Sequence, residues 1–301
     1  MPRTSISASG AKVCPAFSMR RSPLKTWRNG EWRAFRADLE ARQYDLVIDA
    51  QGLLKSAAVT RLANGPKWGL DRNSAREGLS ARVLDHPVVV PRRKHAITRV
   101  RLLFAAALGY ECPRGAPDYG LQRERAPQAL EQGAHLAFFH GTTWETKHWP
   151  EPFWRQLLEK AQAHGCQVSL PWGSEVERQR AERLADGLPA VTVWPAMGLD
   201  ALLERLMAVD GFVAVDTGLA HLAAACDVPG VALYGPTDPA LTGVRGAHAR
   251  SLTAEFPCAP CLQEKCRYRG DLGKGVTPPC FSSLTTEYVW QQLFQQMSAA
   301  L

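Results

Sequence analysis

No apolar run in the 301 residues approaches the roughly 18–20 needed to cross a bilayer. The polar start, residues 1–12, also lacks the continuous apolar segment of a secretory leader. From these absences we expect a cytoplasmic protein. Several chemical signatures are missing as well. No Gly-x-Gly-x-x-Gly follows a strand pattern, and neither Gly-x4-Gly-Lys-Ser/Thr nor Gly-x-Ser-x-Gly occurs. A dinucleotide dehydrogenase, a P-loop enzyme and an esterase are therefore disfavoured. No Asp-x-Asp pair is present, so nothing suggests a diphosphate held through a chelated metal.

Hydrophobic residues make up 46% and charged residues 22%, which excludes a disordered or fibrous chain and permits two domains with their own cores. The net charge is +7. Much of the excess precedes residue 126, at Arg20, Arg21, Lys25, Arg28, Lys55, Arg61, Lys67, Arg72, Arg76, Arg92, Arg93, Lys94, Arg99 and Arg101. A basic half implies an acidic partner: nucleic acid, anionic lipid head groups or an acidic sugar. No nucleic-acid recognition motif accompanies the charge, so nucleic acid is not the expected partner. Of eight cysteines, four fall as Cys258-x2-Cys261-x4-Cys266 with Cys280 beyond. The spacing approaches a zinc ribbon, but its intervals are irregular and it holds no His, so a structural metal, a redox pair and plain reduced thiols all stay open. No metal ligand set is assigned. Cys14, Cys112, Cys166 and Cys226 read as lone or packed thiols.

Along the chain, residues 1–30 have no periodicity and are expected to be irregular. Residues 31–43 pattern as an amphipathic helix, 44–49 as a strand, 53–63 as a helix, 67–70 and 88–90 as short extended pieces, and 95–108 as a helix closed by Gly109. A stretch rich in Pro, Gly and Arg, 110–132, then places a domain boundary near 125, giving domains of 1–125 and 126–301. Beyond it strands are expected at 135–140, 167–171, 191–194, 212–215 and 230–234, alternating with helices at 150–164, 175–185, 199–209 and 219–226. That alternation predicts an α/β fold with a doubly wound parallel sheet, whose ligands bind at the carboxyl ends of the strands. Residues 240–283 read as loop, and 285–301 as a terminal helix.

Four of the loops at those strand ends carry chemistry. Thr142-Thr143-x3-Lys147 offers two hydroxyls and an ammonium before a helix, a set that can clasp a diphosphate; capping threonines and a solvated lysine are the plainer reading. Glu177 opens a helix, where it serves either as a helix-start charge or as an acceptor for ribose hydroxyls. Met197 follows the next strand and is suited to packing or to covering a base. Asp216-Thr217-Gly218-Leu219 joins a buried strand to a helix, so the backbone of Thr217, Gly218 and Leu219 can meet a phosphate while Asp216 meets sugar hydroxyls. His221, one turn further on, is divided between core packing and the ligand.

Taken together, Asp49-Ala-Gln-Gly-Leu-Leu-Lys-Ser-Ala57, Ser74-Ala-Arg-Glu77, His140-Gly-Thr-Thr-x3-Lys-His-Trp149, Leu170-Pro-Trp-Gly173, Asp216-Thr-Gly-Leu-x-His-Leu222 and Tyr234-Gly-Pro-Thr-Asp238 resemble the bacterial family 9 glycosyltransferases, the heptosyltransferases. The resemblance covers about residues 30 to 240 and favours the members that add the first heptose. It implies a GT-B fold of two Rossmann-like domains. It also implies inverting transfer of L-glycero-D-manno-heptose from ADP-heptose to the Kdo of Kdo2-lipid A, with no metal and no cofactor. Thr142, Thr143, Lys147, Thr217, Gly218 and Leu219 would then hold the diphosphate, Glu177 the ribose, Met197 the adenine and Asp216 the heptose, with His221 nearby. Lys147 and Asp216 would support catalysis, and Lys55, Arg76 and Arg99 would meet the anionic acceptor at the cytoplasmic face of the inner membrane. Family members open with a strand and a Gly-Asp-x-x-His loop whose Asp is the expected general base. Residues 1–30 hold no Asp. The chain is therefore expected to join the pattern late, most simply through a misassigned start codon, otherwise through a truncated gene or as a variant that uses another base; no base is assigned, the acceptor domain is expected to be incomplete, and an inactive sugar-nucleotide-binding remnant is the alternative.

Overall fold

A computed structural model describes residues 32–121, 123, 127–130 and 133–301. The expected irregular segment 1–30, with Cys14, Arg20, Arg21, Lys25 and Arg28, lies outside the described residues. The chain divides into two compact units, one running to Arg92 and including Leu102–Glu111, the other comprising Arg93–Arg101 and Cys112–Leu301. Among the described residues no helix is long and apolar enough to cross a membrane.

The first unit contains α1 (Trp32–Glu40), β1 (Val47–Asp49), α2 (Leu54–Leu62), β2 (Lys67–Leu70), a 3-10 turn (Gly78–Val83) and β3 (His86–Val88). Its strands pair in parallel in the order β1-β2-β3. A small core of Leu70, Ala75 and Val90 is completed by Leu103 from α3 (Ala96–Leu108). The Asp-Ala-Gln-Gly motif is a turn device. Buried Asp49 accepts the Gln51 and Gly52 amides at 2.9 and 3.1 Å and the Ser56 hydroxyl at 2.9 Å. Gly52 adopts φ +62°, which a side chain would strain.

The second unit is built on β4 (His135–Phe139), α4 (Glu151–Ala163), β5 (Gln167–Leu170), α5 (Glu175–Ala185), β6 (Val191–Val193), α6 (Leu199–Ala208), β7 (Gly211–Val215), α7 (Gly218–Ala225), β8 (Gly230–Tyr234), the short α8 (Pro239–Thr242), β9 (Ala249–Thr253) and α9 (Thr286–Ser298). All six strands are parallel, in the order β6-β5-β4-β7-β8-β9. Every residue of β7 is buried. Val213 and Val215 point into the cluster under α4, α5 and α9, whereas Phe212 and Ala214 point into the cluster under α6 and α7. This two-sided burial is why the strand reads as a continuous apolar run. Gly230 lets β8 approach it, because a Cβ there would lie 2.3 Å from the Phe212 carbonyl oxygen and 2.4 Å from its ring.

The reading of 240–283 as loop is corrected by α8, by the edge strand β9 and by a 3-10 turn, Pro279–Ser283. Of β9 only Leu252 is buried, so the strand lacks the apolar run that marks its neighbours.

Candidate functional site

The strand order reverses direction between β4 and β7. In an open parallel sheet, the loops leaving the carboxyl ends of two such strands diverge to opposite faces and leave a crevice between them. The loop 140–149 leaves β4, and Asp216-Thr217 leaves β7. The topology thus selects the two segments whose side chains carry the most chemistry.

They are joined directly. The Lys147 Nζ lies 2.8 Å from the Asp216 Oδ2, with the two side chains only 16% and 9% exposed. The Thr142 hydroxyl donates to the Asp216 carbonyl oxygen at 3.0 Å, crossing the crevice. Thr237, in the turn after β8, donates to the same Asp216 Oδ2 at 2.8 Å. Trp144 lies under the ammonium, whose Nζ is 4.6 Å from the ring centroid. Lys147 is therefore held between a carboxylate and an aromatic face, in partly dry surroundings where each contact counts for more than in water.

The start of α7 faces this pair. The first amides of any helix have no intrahelical partner, and Thr217 at the cap makes no side-chain capping bond to them. They supply donors and the positive end of a dipole to an anion. His221, half-buried in the same helix, titrates below the ordinary histidine range because burial outweighs the attraction of Asp216. His95, a residue of the same unit, lies close enough to lower it further. The His95 Nε2 makes a 2.9 Å hydrogen bond with the Gly243 carbonyl oxygen, and burial holds this imidazole low as well. Both rings are neutral near pH 7.

On the other side of the crevice Glu177 stands in the first turn of α5, but it is already engaged. Its Oε2 accepts the Gly173 and Ser174 amides at 2.7 and 3.2 Å, while Ser174 accepts the Glu177 amide at 3.3 Å, completing a reciprocal cap. The helix-start reading is thus realised, and the carboxylate's remaining oxygen lies against Gly141: a Cβ there would sit 2.5 Å from Oε1. Thr143 is exposed, and Met197 packs against the cluster under α6 and α7.

A scaffold behind the loop went unread in the sequence. Arg180 on α5 donates to the His148 Nδ1 at 2.7 Å, to the His140 carbonyl oxygen at 3.4 Å and to Glu151 at 3.3 Å. Thr146 is buried and donates to the Gln263 carbonyl oxygen at 2.5 Å. Trp149 closes the loop by donating its indole N–H to the Leu284 carbonyl oxygen at 3.0 Å and meeting Trp154 edge-on at 5.0 Å. His140 is fully buried with neither ring nitrogen hydrogen-bonded, and burial drives its pKa down to about 4. Thr237 had a signal, since Gly235-Pro-Thr-Asp238 stands out beside the other motifs. Arg180 had none, because arginines on helix faces are ordinarily solvated.

In the first unit, Lys55 at the start of α2 and Arg76 in the segment after β2 are both exposed. Their segments meet: the Glu77 amide donates to the Gly52 carbonyl oxygen at 2.9 Å, and the Glu77 Oε2 accepts the Leu54 amide at 2.6 Å. Arg99 is half-buried and belongs to the second unit.

The family model "Glycosyltransferase family 9 (heptosyltransferase)" matches residues 32–271. The chain is 48% identical over 283 residues to lipopolysaccharide heptosyltransferase 1 of Pseudomonas aeruginosa, covering 91% of this chain and 79% of that one. It is 44% identical over 227 residues to the enzyme of the same name from Escherichia coli K12, covering 75% and 70%. Among solved structures, E. coli heptosyltransferase WaaC with ADP superposes at a TM-score of 0.73 and 37% identity, over 93% of this chain and 80% of that one. The same protein with ADP-2-deoxy-2-fluoro heptose superposes at a TM-score of 0.69.

Proposed function

The chain belongs to glycosyltransferase family 9, the heptosyltransferases, and from that premise we propose how its residues divide the work. It has the GT-B fold and is a glycosyltransferase that uses ADP-heptose as donor and transfers heptose into the lipopolysaccharide inner core. The second unit is the donor unit. Lys147, Thr142 and the opening amides of α7 hold the diphosphate, with Thr143 at the rim. Glu177 accepts from the ribose through the oxygen that its cap leaves over, Met197 borders the adenine, and Asp216 receives the heptose hydroxyls with His221 beside it.

The observation that carries this division is the Lys147–Asp216 contact at the strand-order reversal. In the absence of donor, the ammonium and the carboxylate satisfy each other. Donor binding separates their tasks, the ammonium turning to phosphate and the carboxylate to sugar. As the anomeric carbon–oxygen bond breaks, negative charge accumulates on the departing diphosphate. A fixed ammonium and the helix amides stabilise that charge more than they stabilise the ground state, which is what lowers a barrier. Inverting attack by the Kdo hydroxyl of Kdo2-lipid A completes the proposed reaction: the anomeric carbon exchanges its bond to the diphosphate for one to the hydroxyl oxygen, whose proton is released to solvent. Lys55, Arg76 and Arg99 are the proposed contacts to that anionic acceptor, which brings the enzyme to the inner-membrane surface.

Incubation with ADP-heptose and Kdo2-lipid A tests the reading. Formation of heptosylated product, lost in Lys147→Ala, is the expected result; donor binding without any product would overturn catalysis by this chain.

A further inference from the structure

The cysteine loop is the one sequence motif that the donor site does not absorb. Cys258, Cys261, Cys266 and Cys280 come together with Thr146 and Pro236 around a single cavity of about 20 Å³. That is room for one water-sized body. Cys280 is buried at the start of the Pro279–Ser283 turn, and the other three approach it from the loop 258–266. None of the seven cysteines among the described residues is in a disulfide.

We propose that these four thiols are the ligands of a structural soft-metal site, for Zn2+ or Fe2+, that braces the donor crevice from behind. Sulfur-only ligand sets select soft or borderline cations over Mg2+ and Ca2+, and a Cys-x-x-Cys pair presents two of the four ligands from one short turn. Among the described residues the thiols line the cavity without being gathered at ligand spacing, and the site is empty. Binding therefore draws the loop inward, each thiol giving up its proton to solvent as its sulfur bonds the cation.

The position gives such a site a consequence for the donor crevice. The loop's Gln263 carbonyl oxygen accepts the Thr146 hydroxyl, next to Lys147, and the Leu262 amide donates to the Pro236 carbonyl oxygen at 2.8 Å, next to Thr237. Both turns that converge on Asp216 thus lean on the segment between the thiols. Between β9 and α9 the chain's only regular element is the 3-10 turn, a length that ordinarily needs some device to fix it.

The test is metal content by mass spectrometry on full-length protein purified under reducing conditions without chelator. About one zinc or iron per chain is expected, falling to background in Cys261→Ser/Cys266→Ser. Should that variant fail to fold, wild-type protein stripped of metal is titrated with Co2+, where thiolate-to-cobalt absorption must appear with a one-to-one endpoint. Wild-type protein that takes up neither metal, with all these thiols reacting freely, overturns the proposal. So does a Cys258–Cys261 disulfide in its place. ADP affinity is read separately and is expected to drop about 5–10-fold on metal removal; no drop would refute the bracing. Metal content does not depend on ADP binding, so failure of the donor-site reading leaves this test intact.

Discussion

Lys147 and Asp216 are predicted to affect ADP binding in opposite directions, although they are partners in one contact. Replacing Lys147 by Ala removes the ammonium proposed to meet the diphosphate. A charge-assisted hydrogen bond contributes about 1.5–3 kcal/mol, so Kd for ADP should rise about 10–150-fold. Asp216→Asn keeps the shape and an acceptor for the Thr237 hydroxyl but removes the negative charge 2.8 Å from Nζ. ADP carries no heptose for Asp216 to hold, and in the unsubstituted protein the nucleotide must both displace that carboxylate from Lys147 and tolerate it nearby. At an effective dielectric of about 20 two unit charges in contact interact by about 4–6 kcal/mol; desolvation of the pair offsets most of this, and with about 1–2 kcal/mol left Asp216→Asn should bind ADP about 5–30-fold more tightly. With ADP-heptose the gain should vanish, because the sugar loses its acceptor, and turnover should fall. Calorimetric titration of both variants with ADP and with ADP-heptose, beside melting curves, reads all four quantities. Loss of ADP affinity in Asp216→Asn at an unchanged melting temperature would refute the reasoning, since Asp216 would then be holding the nucleotide site in shape.

Three further outcomes follow from the same geometry. Gly141→Ala places a methyl 2.5 Å from the Glu177 Oε1 and must displace that carboxylate from the Gly173 and Ser174 amides as well, so ADP affinity should drop and the melting temperature should fall with the loss of the cap; an unaltered titration would show that Glu177 is not in the nucleotide site. Ser174→Ala opens the α5 cap at a cost of about 1 kcal/mol, which should lower Tm by about 2–4 °C, seen by calorimetry with turnover retained below the transition. His140 is held neutral by burial, with a pKa of about 4 against an ordinary value of 6.5. The unfolded chain therefore binds the extra proton first, and stability is lost as pH falls from about 6.5 towards 4, by about 3 kcal/mol at most. Denaturant unfolding at a series of pH values should show that slope, and His140→Gln should flatten it.

The central strands and the Asp-Thr-Gly turn were legible in the sequence because their physics is local. Four apolar residues buried on both faces need no context to be recognised, and a turn that opens a helix announces its own free amides. The edge strand β9 was missed because burial of Leu252 alone leaves a polar pattern that looks like loop. The candidate site divides in the same way. Lys147 and Asp216 could be named separately, but their contact depends on two residues 69 positions apart meeting at the reversal of strand order, which no window of sequence contains. Thr146 and Arg180 act through backbone carbonyls, and a carbonyl has no sequence signature.

The indole of Trp149 finds its acceptor at Leu284, and Val289, Leu293 and Met297 of α9 complete the core beside β7. During synthesis the loop bearing Lys147 therefore emerges from the ribosome well before the segment that fastens it. Until translation reaches α9, the nascent chain has Lys147 on a loop that lacks its Trp149–Leu284 fastening, above a half-covered sheet. On the proposed assignment of Lys147 to the donor, capture is expected only at the final stage of manufacture, so a stalled or prematurely released polypeptide would not sequester the sugar nucleotide.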